Sequence, residues 1–262
     1  MTLYSLFNTI GMVMVLVYNL LHFKEKQPLL GGVSRSAINY FEQRKQCRVC
    51  KLLAAAGFWT ILEILVITVV QYYFVGLFNT AFGKLVNTGA NYFGLMTCSP
   101  VLVLLFCLLL KIDPLAQMDL ITPAYPLGLI FVKIACYAAN CCRGVAWIDV
   151  FPEPIIIPVQ LMESAAALLL FVFLIRNKRK MKKGTVFPVY LMTYSGLRFF
   201  TEFFRCEPKV FMGLRTYQLL CLAGIVVGAL EYAAVCRYRA RKMEKANLKD
   251  LENVHVTENN HF

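Results

Sequence analysis

The chain has 262 residues, of which 59% are apolar and 16% charged, and its mean hydropathy is +0.61. A soluble domain is about 45–50% apolar and about 25% charged, so a disordered chain is excluded and a water-soluble globule is disfavoured. The net charge of +12 would point to nucleic acid in a soluble chain. Here the apolar residues fall in blocks near the roughly 20 needed to cross a bilayer as a helix. The basic residues then read as flanks that set orientation and meet anionic headgroups, with no nucleic-acid partner. The expected fold class is all-α: a polytopic membrane protein.

Seven apolar segments are predicted, at about 3–23, 52–77, 92–110, 115–140, 155–175, 185–205 and 216–236. No cleavage site follows the first segment, so it is expected to stay as a helix. The linker 24–51 is long for a helix connection and is expected to hold an interfacial helix around residues 37–50. Within it, Cys47-Arg-Val-Cys50 has a zinc-like spacing but no second pair or His nearby, so no metal site is expected. No cofactor-binding motif is present.

Loop charges decide orientation. Linker 24–51, Lys111, residues 176–183 and the tail after Cys236 together carry 20 Lys or Arg, and the alternating loops carry 4. The positive-inside bias places the N-terminus outside and the C-terminus in the cytoplasm. Residues 1–236 then form the transmembrane domain. Residues 237–262 form a cytoplasmic tail, basic then polar, expected to be a frayed helix followed by disorder.

Ionisable residues within apolar segments mark sites, because each costs about 2.5–3.5 kcal/mol near the bilayer centre. Glu63 and Glu231 stand alone in apolar runs and read as structural. The others gather in three stretches at one side: Lys133 through Arg143, Gln160 with Glu163, and Tyr194 through Arg205. Arg198, Glu202 and Arg205 are spaced i, i+4, i+7, which predicts a shared helix face. Cations outnumber carboxylates there, and such a pocket suits an anionic phospholipid headgroup, whose phosphate a guanidinium fork can grip.

These stretches resemble the prolipoprotein diacylglyceryl transferase family of bacterial plasma membranes. Tyr194-Ser-Gly-Leu-Arg198-Phe-Phe-Thr-Glu202-Phe-Phe-Arg205 is similar to the family's Tyr-x-x-x-Arg-Phe-x-x-Glu-Phe-Phe-Arg. Pro158-Val-Gln160-Leu-Met-Glu163 looks like Pro-x-Gln-Leu-Tyr-Glu, and Cys136-Tyr-Ala-Ala-Asn140-Cys141-Cys142-Arg143-Gly144 resembles Cys-Phe-x-x-Gly-Cys-Cys-x-Gly. The resemblance implies transfer of a diacylglyceryl group from phosphatidylglycerol to the lipobox cysteine of a prolipoprotein signal peptide, in a multi-pass protein of the bacterial plasma membrane. It implies catalytic roles for Arg198, Glu202 and Lys133, and substrate-binding roles for Arg205, Arg143, Asn140, Glu163, Gln160, Tyr194 and Asp119. The sequence departs from the family pattern at Lys133, where an arginine is expected, at Ala135 and Asn140, where glycines are expected, and at Phe93 in place of a His or Tyr. A catalytically weakened paralogue that binds phospholipid or a membrane partner is the second reading.

Overall fold

The structure, a computed structural model, describes residues 3–22, 103–105, 107–108, 113–148, 155–205 and 209–259. Segment 52–77, most of 92–110, the interfacial helix, the Cys47–Cys50 pair, Glu63 and Phe93 lie outside the described residues.

Helix α1 spans Leu3–Leu21, within the first predicted segment. The predicted helix 115–140 is divided into α2, Pro114–Ile121, and α3, Ala124–Ala138. The break at Thr122–Pro123 follows from Pro123, which lacks the N–H that would continue the ladder. Asp113 opens α2: its carboxylate accepts from the Leu115 N–H at 3.1 Å and the Ala116 N–H at 3.5 Å, and Pro114 sits where no donor is needed. Helix α4 is Val159–Asn177, and α5 is Val186–Thr201, followed by a 3-10 turn at Glu202–Phe204. Helix α6 runs from Thr216 to Asn259. The tail is therefore helical well past Cys236, and the helix expected at its start runs further than expected. No Gly or Pro follows Gly228, and Ala, Leu, Lys, Arg and Glu keep the propensity high.

Two small antiparallel pairs were not expected in an all-α chain. They join β1 (Ala146–Ile148) to β2 (Ile155–Ile156), and β3 (Lys209–Phe211) to β4 (Leu214–Arg215). Both lie in connections at one end of the helices.

Helix α1 packs on α3, α3 on α4, α4 on α5, and α5 on α6. Close approach of α5 and α6 depends on Gly228, where an added Cβ would come within 2.7 Å of Met192 Cγ. The core is centred on Leu129, Leu170, Leu174, Phe187, Tyr190 and Leu191. Tyr190 stacks on both Tyr125 and Tyr194, each at 5.9 Å between ring centroids. By length and composition, Pro114–Ala138, Val159–Asn177 and Thr216–Glu244 are long and apolar enough to cross a membrane, and Leu3–Asn19 is a shorter apolar helix.

Candidate functional site: a buried carboxylate among three cations

The end of α3, the start of α4 and the end of α5 meet at one end of the helix bundle. Glu163, on the first turns of α4, is buried at their junction. Its Oε2 lies 2.6 Å from Lys133 Nζ of α3. Its Oε1 pairs with Arg198 Nη1 of α5, and Arg205 Nη2 donates to both of its oxygens at 3.0 and 3.1 Å. Arg198 Nη2 also lies 3.1 Å from Glu202 Oε2, and Arg205 Nε lies 3.7 Å from the same atom. Three cations against two carboxylates leave one positive charge in excess among the described residues of this cluster. Burial makes that charge strong, since water is not there to screen it.

Arg205 does not arrive along a helix face, as its spacing suggested. The α-helix ends at Thr201, the 3-10 turn tightens the chain, and Arg205 is extended at φ −99°, ψ 153°. Its backbone forms a bridge to Gly144. The Val145 N–H donates to the Phe204 carbonyl at 2.8 Å, and the Ile157 N–H to the Val145 carbonyl at 3.1 Å. Gly144 is required in this seam: an added Cβ would come within 2.4 Å of the Ile157 oxygen and 2.9 Å of the Phe204 oxygen. The loop after α3 thus holds Arg205 against Glu163.

Asn140 has a structural task at this point. It is at φ 58°, a conformation that asparagine tolerates better than most side chains. The Asn140 N–H donates to the Tyr137 carbonyl and the Cys141 N–H to the Cys136 carbonyl, the paired bonds that close a helix on a left-handed residue. Asparagine therefore stands in for a glycine at the end of α3. Its side chain is exposed, as is Arg143, whose Nε donates to the Asn140 carbonyl at 3.2 Å. Gln160 is buried and holds the same loop by donating to the Cys141 carbonyl at 2.6 Å. A hydrogen bond from Cys136, with the charges of Arg205 and Lys133, holds the Cys142 thiol below its ordinary pKa.

Asp119 is not part of the cluster. It accepts from the backbone N–H groups of Gly184 and, at 3.0 Å, Val186. Those residues begin α5, about 18 Å along the helix from Arg198. At that same end, Lys183 pairs with Asp113 at 2.6 Å and Arg239 donates to the Lys183 carbonyl.

Spacing alone did not reveal two contributors. Thr201 Oγ1 donates to Glu163 Oε1 at 3.3 Å, and its position three residues after Arg198 was the available signal. Tyr217, on α6, lies under the Arg198 guanidinium at 5.6 Å, a cation–π contact with no signature in sequence. Beside the cluster is a cavity lined by Leu129, Lys133, Glu163, Tyr194, Arg198 and Thr201. Its volume of about 20 Å³ gives room for about one water. A phospholipid headgroup entering here must displace side chains.

The family model described as prolipoprotein diacylglyceryl transferase matches residues 1–234. A phosphatidylglycerol–prolipoprotein diacylglyceryl transferase of Clostridium tetani is 31% identical over 158 residues, covering 55% of this chain and 64% of the relative. The second such transferase of Clostridium perfringens is 30% identical over 145 residues, covering 50% and 56%. One from an Azoarcus species is 39% identical over 103 residues, covering 36% and 37%. The chain spans less than two thirds of the length of each of these relatives.

Proposed function

This chain belongs to the prolipoprotein diacylglyceryl transferase family, and from that premise we propose that it transfers a diacylglyceryl group from phosphatidylglycerol to a lipobox cysteine. In that reaction the cysteine sulfur attacks the glycerol carbon that bears the phosphate. The C–S bond forms, the C–O bond breaks, and glycerol phosphate leaves with the bonding pair while the thiol gives up its proton. The demand on the protein is to hold a phosphate that gains charge as it departs.

The observation that carries this reading is the excess positive charge around Glu163. Arg198 is engaged by two carboxylates through Nη1 and Nη2, but a guanidinium has five N–H donors. Donors remain for a phosphate without releasing the partners that orient the group. Lys133 lines the same cavity as Arg198.

The proposed setting is a seven-helix protein of the bacterial plasma membrane, with the cluster in the outer half and the C-terminus in the cytoplasm. The basic segment around Lys183, at the opposite end from Glu163, supports that orientation. A reporter fused after Phe262 is expected to be active only in the cytoplasm, and one inserted at Val150 only outside. The reverse at either site breaks the arrangement.

The test of function is transfer of labelled diacylglyceryl from phosphatidylglycerol onto a lipobox peptide by the purified chain. Arg198→Lys keeps a charge beside Glu163 but loses the fork, and Arg198→Ala loses both. Both variants are expected to insert in the membrane and fail to transfer. The exchange Arg198→Glu with Glu202→Arg does not isolate the fork, because it sets a new carboxylate against Glu163. Full transfer by Arg198→Lys overturns the assignment of Arg198 as a phosphate fork. The second reading, a lipid-binding relative without turnover, is favoured by Lys133, whose single ammonium is paired to Glu163 and offers no fork. Complementation of a strain depleted of its own transferase separates the two.

A further inference from the structure

The thiols of Cys136, Cys141 and Cys142 are not among the groups that pair with Glu163 or Glu202, yet the fold assembles them. Their three sulfur atoms lie within 4.8 Å of one another. Cys136 is buried at the end of α3, while Cys141 and Cys142 are exposed on the loop that follows. Three hydrogen bonds fix this geometry. The Cys141 N–H and thiol both donate to the Cys136 carbonyl, and Gln160 holds the Cys141 carbonyl. Cys142 is at φ 58°, a backbone state that few non-glycine residues adopt. That conformation places it back beside Cys136 rather than along an extended strand.

We propose that Cys136, Cys141 and Cys142 form a three-thiolate site for one soft metal ion of the Zn²⁺ or Cu⁺ type. Thiolate sulfur selects such ions. A Zn–S bond is about 2.3 Å, so sulfurs around one ion stand about 3.8 Å apart. Closing the present triangle takes side-chain rotation, and Cys141 gives up its thiol bond to the Cys136 carbonyl when it loses its proton to the metal. A zinc ion would keep a fourth position open to water on the exposed side, the pattern of a site with three protein ligands. Coordination needs deprotonated sulfur, so each bound ion releases up to three protons to solvent.

Two cations stand beside the three sulfurs. Three thiolates on a divalent ion carry one net negative charge. Arg205, which hydrogen-bonds to Cys142, and Lys133 supply positive charge beside it. Both cations also hold Glu163. A metal here draws on the charge that the proposed phosphate clamp uses, and this consequence rests on the proposed function. The binding itself does not.

The test uses the full chain purified in detergent under a thiol-free reductant, with Cys47→Ser and Cys50→Ser to remove the other closely spaced pair. Cd²⁺ serves as the probe, because bound thiolate gives a sulfur-to-metal charge-transfer absorption. One Cd²⁺ per chain is expected, displaced by Zn²⁺. The absorption is expected to be lost in Cys136→Ser, Cys141→Ser and Cys142→Ser, and kept in Cys107→Ser. A second measurement needs no substitution in the site: bound metal should protect Cys136, Cys141 and Cys142 together from alkylation, read by peptide mass. Absence of Cd²⁺ binding, or protection of fewer than all three, overturns the site. So does a disulfide between any two of them in protein isolated from membranes without reductant.

Discussion

Glu163 on α4 and Asp119 on α2 are carboxylates that meet opposite ends of α5, and they are satisfied in opposite ways. Glu163 is surrounded by the side-chain cations Lys133, Arg198 and Arg205. Asp119 accepts from the backbone N–H groups of Gly184 and Val186. A backbone N–H brings no net charge and points where the fold aims it, so the Asp119 arrangement fastens the start of α5 and does little else. Side-chain cations bring charge in excess of the carboxylate they neutralise. That excess can be shared with a second anion, and at the Glu163 end it is buried, whereas at the Asp119 end Lys183 is exposed to water and Arg239 partly so. The contrast separates a fastening from the proposed binding site on physical grounds alone.

The largest test of this contrast compares isosteric neutral substitutions. Glu163→Gln leaves three buried cations facing one remaining carboxylate, and removing one partner from such a cluster costs about 3–5 kcal/mol. Asp119→Asn keeps one acceptor for two N–H groups and sets an amide against the other, a loss of about 1–3 kcal/mol. Thermal unfolding in detergent is expected to rank Glu163→Gln as the more damaging. Equal costs would show that the charges around Glu163 are not buried in the sense argued here.

Lys133 sharpens the same point on activity. Its ammonium is 2.6 Å from Glu163 and only 13% exposed. If it contributes one charge-assisted contact to phosphate, Lys133→Ala loses about 1.5–3 kcal/mol of that contact, or roughly ten- to hundredfold in transfer. Lys133→Arg is expected to raise transfer, since a guanidinium can hold Glu163 and a phosphate oxygen together. Equal rates for Lys, Arg and Ala would reduce Lys133 to a counter-ion of Glu163.

How far these arrangements were legible in the sequence varies with the residue. Arg198 and Glu202, one helical turn apart, announced their pairing. Glu163 was visible as a charge in an apolar run, but its place at the centre was not, because that depends on how α3, α4 and α5 dock. Arg205 was readable as a cation and misread as a helical one, since nothing in the spacing reports the 3-10 turn or the bridge to Gly144. Asn140 read as a lost glycine, and the dihedral angle shows a residue filling the glycine's conformational role. Asp119 shared the chemistry of the site residues and was grouped with them. Its backbone partners and its distance along α5 separate it.

Gly144 tests the seam that delivers Arg205 to the cluster. Gly144→Ala drives a methyl group into the Ile157 and Phe204 oxygens, and overpacking of that kind costs about 1–3 kcal/mol. The expected signature is a loss of transfer larger than the loss of stability, because the strand that moves carries Arg205. A comparable alanine at Gly196, where an added Cβ meets nothing within 4 Å, should disturb neither.

The smallest effect is expected at Asp113, on the fastening end. Its carboxylate caps α2 through the Leu115 and Ala116 N–H groups and pairs with Lys183. Partial burial raises its pKa, but the Lys183 pair and the two backbone bonds outweigh it and hold the carboxyl below its ordinary value. A carboxyl depressed in the folded state adds stability while it is ionised in both states, at pH above the ordinary carboxylate range. That contribution is lost as pH falls through the lowered folded value. Asp113→Ala is therefore expected to cost about 1 kcal/mol near neutral pH, with the gap to the parent chain closing as the medium is acidified below about pH 4. Because Lys183 and Asp113 are both partly exposed, salt should remove much of the pair's share and leave the cap's. Transfer activity should stay at the parent level in the same variant. A fall in transfer without a fall in stability would mean that this end of the molecule communicates with Glu163, and the division between fastening and binding ends would have to be abandoned.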